Sequence, residues 1–297
     1  MVQFCFLLFC FLLKKEFFTL IIKNKQLNLK HIAESGQCFR MNLLGTEADG
    51  TVSYGVIAYG KFLKLTQLDE ETVLFHCSEE EFQHIWNDYF DLEYDYNFIV
   101  EQLQAGDDSF LKSASEYGCG LRILKQEPFE ALISFIISQN KNIPAIKSTI
   151  EKLSKAYGEE IVTEDGIYYS FPTPRALADA TKEDLRKTGL GYRDEYILRT
   201  SKAVAEKEII LEDLVTISHE ESVEKLLSLH GVGIKVATCM SLYGLHHIEA
   251  FPIDTWIKRI LTEIYSNEFN LALYEGYAGI VQQYMFYYMR DVGVKTK

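Results

Sequence analysis

Cysteine is scarce and scattered. The six residues Cys5, Cys10, Cys38, Cys77, Cys119 and Cys239 form no C-x-x-C pair. Zinc and iron–sulfur centres need ligands grouped closely in the chain, so no such centre is encoded in recognisable form. Isolated thiols also argue against a disulfide framework and suit a reducing cytoplasm. Proline is scarcer still, with five in 297 residues, and together with 18 glycines this excludes a collagen-like or low-complexity chain. Positive charge is short: 30 Lys and Arg face 43 Asp and Glu, for a net charge of −13. A broad basic stripe gripping nucleic acid or an anionic membrane is therefore excluded. Binding of a phosphate backbone through main-chain amides and a few placed cations stays open.

Hydrophobic runs are short as well. The longest, in "MVQFCFLLFCFLLKK", falls below the length of a membrane span. It lacks the preceding basic residue and the following small-residue cleavage site of a secretory signal. An inefficient membrane signal, a buried strand or a start codon assigned too far upstream are the three readings of residues 1–14. The last two are favoured, because "FFTLIIKNKQLNL" reads straight on into a sheet.

What is present is ordinary globular material, 47% hydrophobic and 25% charged, with 18 Tyr and 19 Phe for an aromatic-rich core. Residues 17–77 are rich in β-branched and aromatic runs broken by short polar turns, which predicts strands. The period changes at "SEEEFQHIWNDYF", where Ser78 and Glu81 have capping-box spacing. Phe82, Ile85, Trp86 and Tyr89 then fall on one helical face. Beyond residue 120 the signals are almost all helical. They include Pro128 in a first turn, a stripe of Ile146, Ile150, Leu153 and Tyr157, and cap pairs at Thr181/Asp184 and Ser218/Glu221. The expected fold is α+β. An N-terminal antiparallel sheet domain with flanking helices (15–118) is followed by a mostly α-helical domain (119–297) carrying a helix–hairpin–helix at about 219–246.

That hairpin is the stretch "LLSLHGVGIKVATCM". Gly231 and Gly233 let the backbone approach a phosphate closely, and the next helix offers free N–H groups at its positive end. Neutral amides thereby resolve the conflict between an acidic chain and a nucleic-acid ligand. Lys235 stands where that helix begins. A positive helix end favours the neutral amine that a lysine nucleophile needs; the plainer reading is a solvated surface lysine. About twenty residues later Asp254, in "EAFPIDTWIKRI", suits an N-cap. The same carboxylate could also act electrostatically or in proton transfer at a sugar.

The ordered pair "GVGIKVATC … FPIDTW" resembles the helix–hairpin–helix DNA glycosylases. It looks most like the 8-oxoguanine DNA glycosylase/AP lyases. "SGQCFR", "ILKQEPFEALISFIISQNKNI", "FPTP" and "GLGYR" follow that family's order, so the resemblance runs from about Ser35 to Phe286. It implies that Lys235 attacks the sugar C1′ and forms a Schiff base, and that Asp254 stabilises charge developing on the sugar. It further implies that the Gly36 carbonyl accepts the N7–H of 8-oxoguanine, with Gln282 and Phe286 holding the flipped base by its edge and face. Cys239, one turn after Lys235, would line the pocket. Asn140, Tyr192 and Arg193 would fill the gap and contact the orphaned base.

Each of these has a plainer alternative. Gln282 and Phe286 could be one helix face, Cys239 a small core residue, Asn140 a C-cap, Tyr192 and Arg193 an ordinary loop, and Gly36 a tight turn. Two positions depart from the family pattern: Ala145 stands where its eukaryotic members have an arginine that reads cytosine, and Trp256 replaces a phosphate-contacting histidine. Relaxed selection of the opposite base follows as an expectation. The partner implied is duplex DNA containing 8-oxoguanine, with no membrane partner, metal or organic cofactor. A monomer in the cytoplasm, at the nucleoid, is expected. The alternatives are a glycosylase for alkylated bases, which would not need Lys235, and a non-catalytic hairpin protein, which would need neither Lys235 nor Asp254.

Overall fold

A computed structural model describes residues 19–293; the apolar extension 1–14 lies outside them. Five strands form one antiparallel sheet: β1 (Leu20–Lys23), β2 (Met41–Thr46), β3 (Val52–Ala58), β4 (Lys61–Gln67) and β5 (Thr72–Phe75), in the order β1-β5-β4-β3-β2. Cross-strand partners Met41↔Val56, Val56↔Leu63 and Leu65↔Phe75 place one buried apolar row on a single face. A helix at 79–89, here α2, covers that face, with Phe82 and Phe90 edge-on to Phe75. Its middle turn, Phe82–Trp86, is π-wound. Trp86 is fully buried, and its indole N–H donates to Glu81. The Ser78 side chain accepts from the Glu81 amide, so the cap forms while the Glu81 side chain serves Trp86. At Ser218 and Glu221 both halves of the box are present.

Two elements depart from the expected pattern. A short helix, α1 (Leu29–Glu34), interrupts the strand-rich region, because the Asn28 side chain accepts from the His31 amide and starts a helical turn. In the helical half, Glu160–Thr163 and Gly166–Tyr169 form a two-stranded hairpin. It is held by Phe62 stacked on Tyr168 and a Lys64–Asp165 ion pair to the main sheet.

The other helices of nine residues or more are α3 (Tyr96–Ala105), α4 (Ser109–Tyr117), α5 (Pro128–Ser138), α6 (Ile143–Tyr157), α7 (Asp194–Ala205), α8 (His219–Leu227), α9 (Ile234–Tyr243), α10 (Thr255–Glu263) and α11 (Ala278–Val292). α5 is the central one, buried from Glu130 through Ile137. Burying a large apolar side chain contributes about 1.5–3 kcal/mol, so this helix anchors what packs around it. A hydrogen-bonded seam then ties the loop after α1 to the helices. Gln37 accepts from the Leu124 amide at 2.8 Å, and Gln126 donates both to the Gln37 carbonyl and to the Tyr243 carbonyl. The buried Arg122 guanidinium ties together the carbonyls of Gln26, Phe90 and Tyr94. The loop carrying Gly36 is thus set against the segment that leads into α5 and against the end of α9.

Glu130 is buried within that core, and burial pushes its carboxyl up to about 8 despite the nearby Arg40 charge. A folded-state pKa above the unfolded one stabilises the fold at low pH and loses that contribution as pH rises through the folded value. The Glu130 contribution to stability is therefore expected to decline from about pH 5 to pH 8, against the opposite trend from the partly buried His31, His76 and His219, whose pKa values burial lowers. Glu130→Gln should flatten the decline, with thermal melts across that range as the check; an unchanged slope would contradict the assignment.

Candidate active site

The turn between α8 and α9 uses its two glycines differently. Gly231 has φ +85°, and an added Cβ would collide with the Tyr196 ring. Its carbonyl accepts from Gln139 at 3.0 Å, fastening the turn to the end of α5. Gly233 has φ −96° and open space within 4 Å of an added Cβ. The fold itself does not require glycine there, and no side chain caps the amides of α9. Gly231→Ala is accordingly expected to cost about 1–3 kcal/mol in urea unfolding. Gly233→Ala should leave stability within about 0.5 kcal/mol while weakening DNA binding; equal stability losses for the two would contradict this division.

Lys235, second residue of α9, is exposed, and its ammonium lies 5.6 Å from the Phe135 ring centroid. It borders a small pocket of about 60 Å³ with Ser35, Gly36, Phe135, Cys239, Tyr243, Pro252, Asp254, Gln282 and Phe286. Asp254 caps α10, accepting from the Ile257 amide at 2.8 Å. Burial raises its carboxyl above the usual range, against the opposing pull of that amide and of the Lys235 charge. The two groups therefore sense one another. Burial likewise raises the Cys239 thiol, with Lys235 pulling it back.

The walls are held from behind. Gln282 donates to the Pro252 carbonyl at 3.1 Å, and the Tyr243 hydroxyl meets both Gln282 and Gln283. Gln283 donates to the Ser35 carbonyl at 3.0 Å. Ser35 and Gln37 are thus tied down, while the Gly36 carbonyl between them has no hydrogen-bond partner among the described residues. Gly36 has φ +79°, and the Phe286 ring lies 3.5 Å from where a Cβ would project.

The pocket opens into a groove that also reaches Asn140, Asn142, Ile253, Trp256 and Lys258. Asn140 sits in the left-handed region, φ +52°, and donates to the Tyr192 hydroxyl at 3.3 Å. Tyr192 is exposed. Arg193 is buried, stacked on Tyr192, with its guanidinium donating to the Leu190 and Gln139 carbonyls. In this conformation it faces the protein, and contact with a base would require it to leave those carbonyls. Ala145 lies in the first turn of α6, its amide capped by Asn142.

The structure brings Lys235, Asp254, Gly36, Cys239, Gln282 and Phe286 to one pocket, and sets Asn140 apart on the outer groove with Tyr192 hydrogen-bonded to it. The sequence reading missed Phe135, Tyr243 and Pro252. Tyr243 lies eight residues after Lys235 and four after Cys239, so helical spacing could have found it. Phe135 stacks on Tyr243 at 5.5 Å but sits among the many apolar residues of α5, which do not distinguish it.

Residues 19–132 match the 8-oxoguanine DNA glycosylase N-terminal domain, and residues 133–271 match the HhH-GPD superfamily base excision DNA repair protein. A probable N-glycosylase/DNA lyase of Methanothermobacter thermautotrophicus is 32% identical over 72% of this chain and 76% of its own length. The N-glycosylase/DNA lyase of Saccharomyces cerevisiae is 33% identical over 84% of this chain and 71% of its own. Among solved structures, the Clostridium acetobutylicum 8-oxoguanine glycosylase/lyase, bound to double-stranded DNA with cytosine opposite 8-oxoG, superposes with a TM-score of 0.82. It is 35% identical, covering 90% of this chain and 93% of that one.

Proposed function

The chain belongs to the 8-oxoguanine DNA glycosylase/AP lyase family of the HhH-GPD base excision repair superfamily, and we propose that the pocket between Lys235, Asp254 and Gly36 is where it carries out that chemistry. It is a DNA glycosylase with AP lyase activity that excises 8-oxoguanine from duplex DNA. The lesion turns out of the stack and enters the pocket. Lys235, as the free amine, attacks C1′ while the C1′–N9 bond breaks and the base departs with its electron pair, to be protonated. Opening of the sugar ring leaves a Schiff base between Lys235 and C1′. Loss of a C2′ proton then expels the 3′ phosphate by β-elimination. The Asp254 carboxylate stabilises positive charge on the sugar as the glycosidic bond breaks.

One observation carries the choice of base: the unpartnered Gly36 carbonyl, flanked by Ser35 and Gln37, whose side chains and carbonyls are engaged. 8-Oxoguanine offers N7–H to that oxygen. Guanine would place an acceptor against an acceptor, leaving both unpaired in a buried site. Gln282 supports the base edge and Phe286 its face, with Cys239 opposite.

Near Asn140, Ala145 supplies no cation, and Arg193 is occupied by backbone carbonyls. We therefore expect excision rates opposite the four bases to lie within about tenfold, a spread of about 1.4 kcal/mol. Single-turnover cleavage of 8-oxoguanine opposite each base tests this, with guanine and an alkylated purine as controls. A steep preference for cytosine would contradict the relaxed reading; preferred excision of the alkylated base would overturn the substrate assignment. The described cysteines are free thiols, in keeping with work in the cytoplasm at the nucleoid. No helix of the described residues is long and apolar enough to cross a membrane.

A further inference from the structure

α11 presents Gln282, Phe286 and Arg290 at successive i, i+4 positions, hence on one face. The first two belong to the pocket; the third has no part in the chemistry above. The Arg290 side chain is only 18% exposed, and its Nη1 is buried with no hydrogen-bond partner among the described residues. The one carboxylate within 4 Å is Asp291, 3.7 Å from Nη2 and already accepting from the Tyr117 hydroxyl at 2.8 Å. The guanidinium carbon stands 5.6 Å from the Phe286 ring centroid and 5.5 Å from that of Tyr287. Nη1 comes within 3.8 Å of the point to which a Cβ on Gly36 would project.

Arginine cannot shed its proton in a protein, so a buried donor without an acceptor is a standing cost. An acceptor arriving with the substrate would remove it. Arg290 borders the outer groove and is absent from the walls of the inner pocket. The group it meets is thus on the strand that delivers the base rather than on the base. The only anionic group on that strand is the phosphodiester, whose oxygens match the guanidinium fork.

We propose that Arg290 is a phosphate-contacting residue, its guanidinium turning into the groove it borders so that Nη1–H donates to a phosphate oxygen of the flipped nucleotide or its immediate neighbour. This rests on the reading that the flipped nucleotide enters between Gly36 and Lys235. The contact also fixes the guanidinium beside Phe286, linking backbone capture to the ring that supports the base.

The test compares Arg290→Gln and Arg290→Lys with the unaltered protein, after thermal melts confirm folding. Affinity is measured against salt for two duplexes, one carrying 8-oxoguanine and one a tetrahydrofuran abasic analogue. Arg290→Gln should weaken both by about 10- to 100-fold, and the slope of log affinity against log salt should become shallower by about one. Arg290→Lys should restore the slope and only part of the affinity. Unchanged affinity and slope would overturn the proposal. So would a loss confined to the 8-oxoguanine duplex, which would mark a base contact. Slower excision with an unchanged slope would make Arg290 a prop for Phe286. Should the unaltered protein fail to excise 8-oxoguanine yet show an Arg290-dependent slope, the functional reading fails and the phosphate contact stands.

Discussion

Lys235→Gln is expected to lower base excision by at least about a thousandfold, some 4 kcal/mol of barrier, while the protein stays folded and bound to DNA. The side chain is exposed, and besides its charge interactions with Asp254 and Cys239 it makes only a distant approach to the Phe135 ring, so glutamine removes little stabilising contact. What disappears is the one amine on the pocket wall. The protein alone does not bury Lys235; DNA lying across the groove would have to exclude the water. Single-turnover kinetics with enzyme in excess separate the chemical step from binding. An unchanged rate would remove Lys235 from the mechanism.

Asp254→Asn is expected to slow excision by about 10²–10³-fold, the range seen when one preorganised electrostatic group is lost, without disturbing the fold. Asparagine caps a helix as well as aspartate, so the bond to the Ile257 amide survives the substitution. Burial has raised this carboxyl, which makes its ionised form a small cost to the folded state above the usual carboxylate pKa. Removing the charge should therefore leave the melting temperature at neutral pH unchanged or slightly higher. The activity that depends on the ionised carboxylate should fall on the acid side at a higher pH than an ordinary aspartate would give. Asp254→Ala separates the roles in the other direction, losing about 1 kcal/mol of cap stability as well. A drop in melting temperature for the asparagine variant, or a retained rate, would contradict the assignment.

How much of this was legible in the sequence depended on whether a signal is local. The strands, α5, α6 and the hairpin helices announce themselves through period and caps, because those depend on residues three or four apart. Glycine at 231 was legible as a turn, but the Tyr196 ring that demands it comes from α7, thirty-five residues earlier. Asp254 read equally well as a cap and as a reacting group, and it serves as the cap here with its carboxyl still bordering the pocket. Gly36 carried no local signal of its own. Its significance comes from Gln37 and Gln283, which engage everything around it through contacts with residues 124 and 35. Arg193 shows the opposite failure: a loop arginine suggests an open cation, yet two backbone carbonyls hold it inside. Arg290 escaped notice because a lone cation near the end of a helix is ordinary until its missing partner is seen.

The most direct test of Schiff-base chemistry at Lys235 is borohydride reduction during reaction with an 8-oxoguanine duplex, followed by mass analysis of the cross-linked peptide. The predicted result is a covalent protein–DNA adduct on the peptide bearing Lys235, absent from Lys235→Gln. An adduct carried by any other residue, or excision of 8-oxoguanine with no adduct at all, would contradict it.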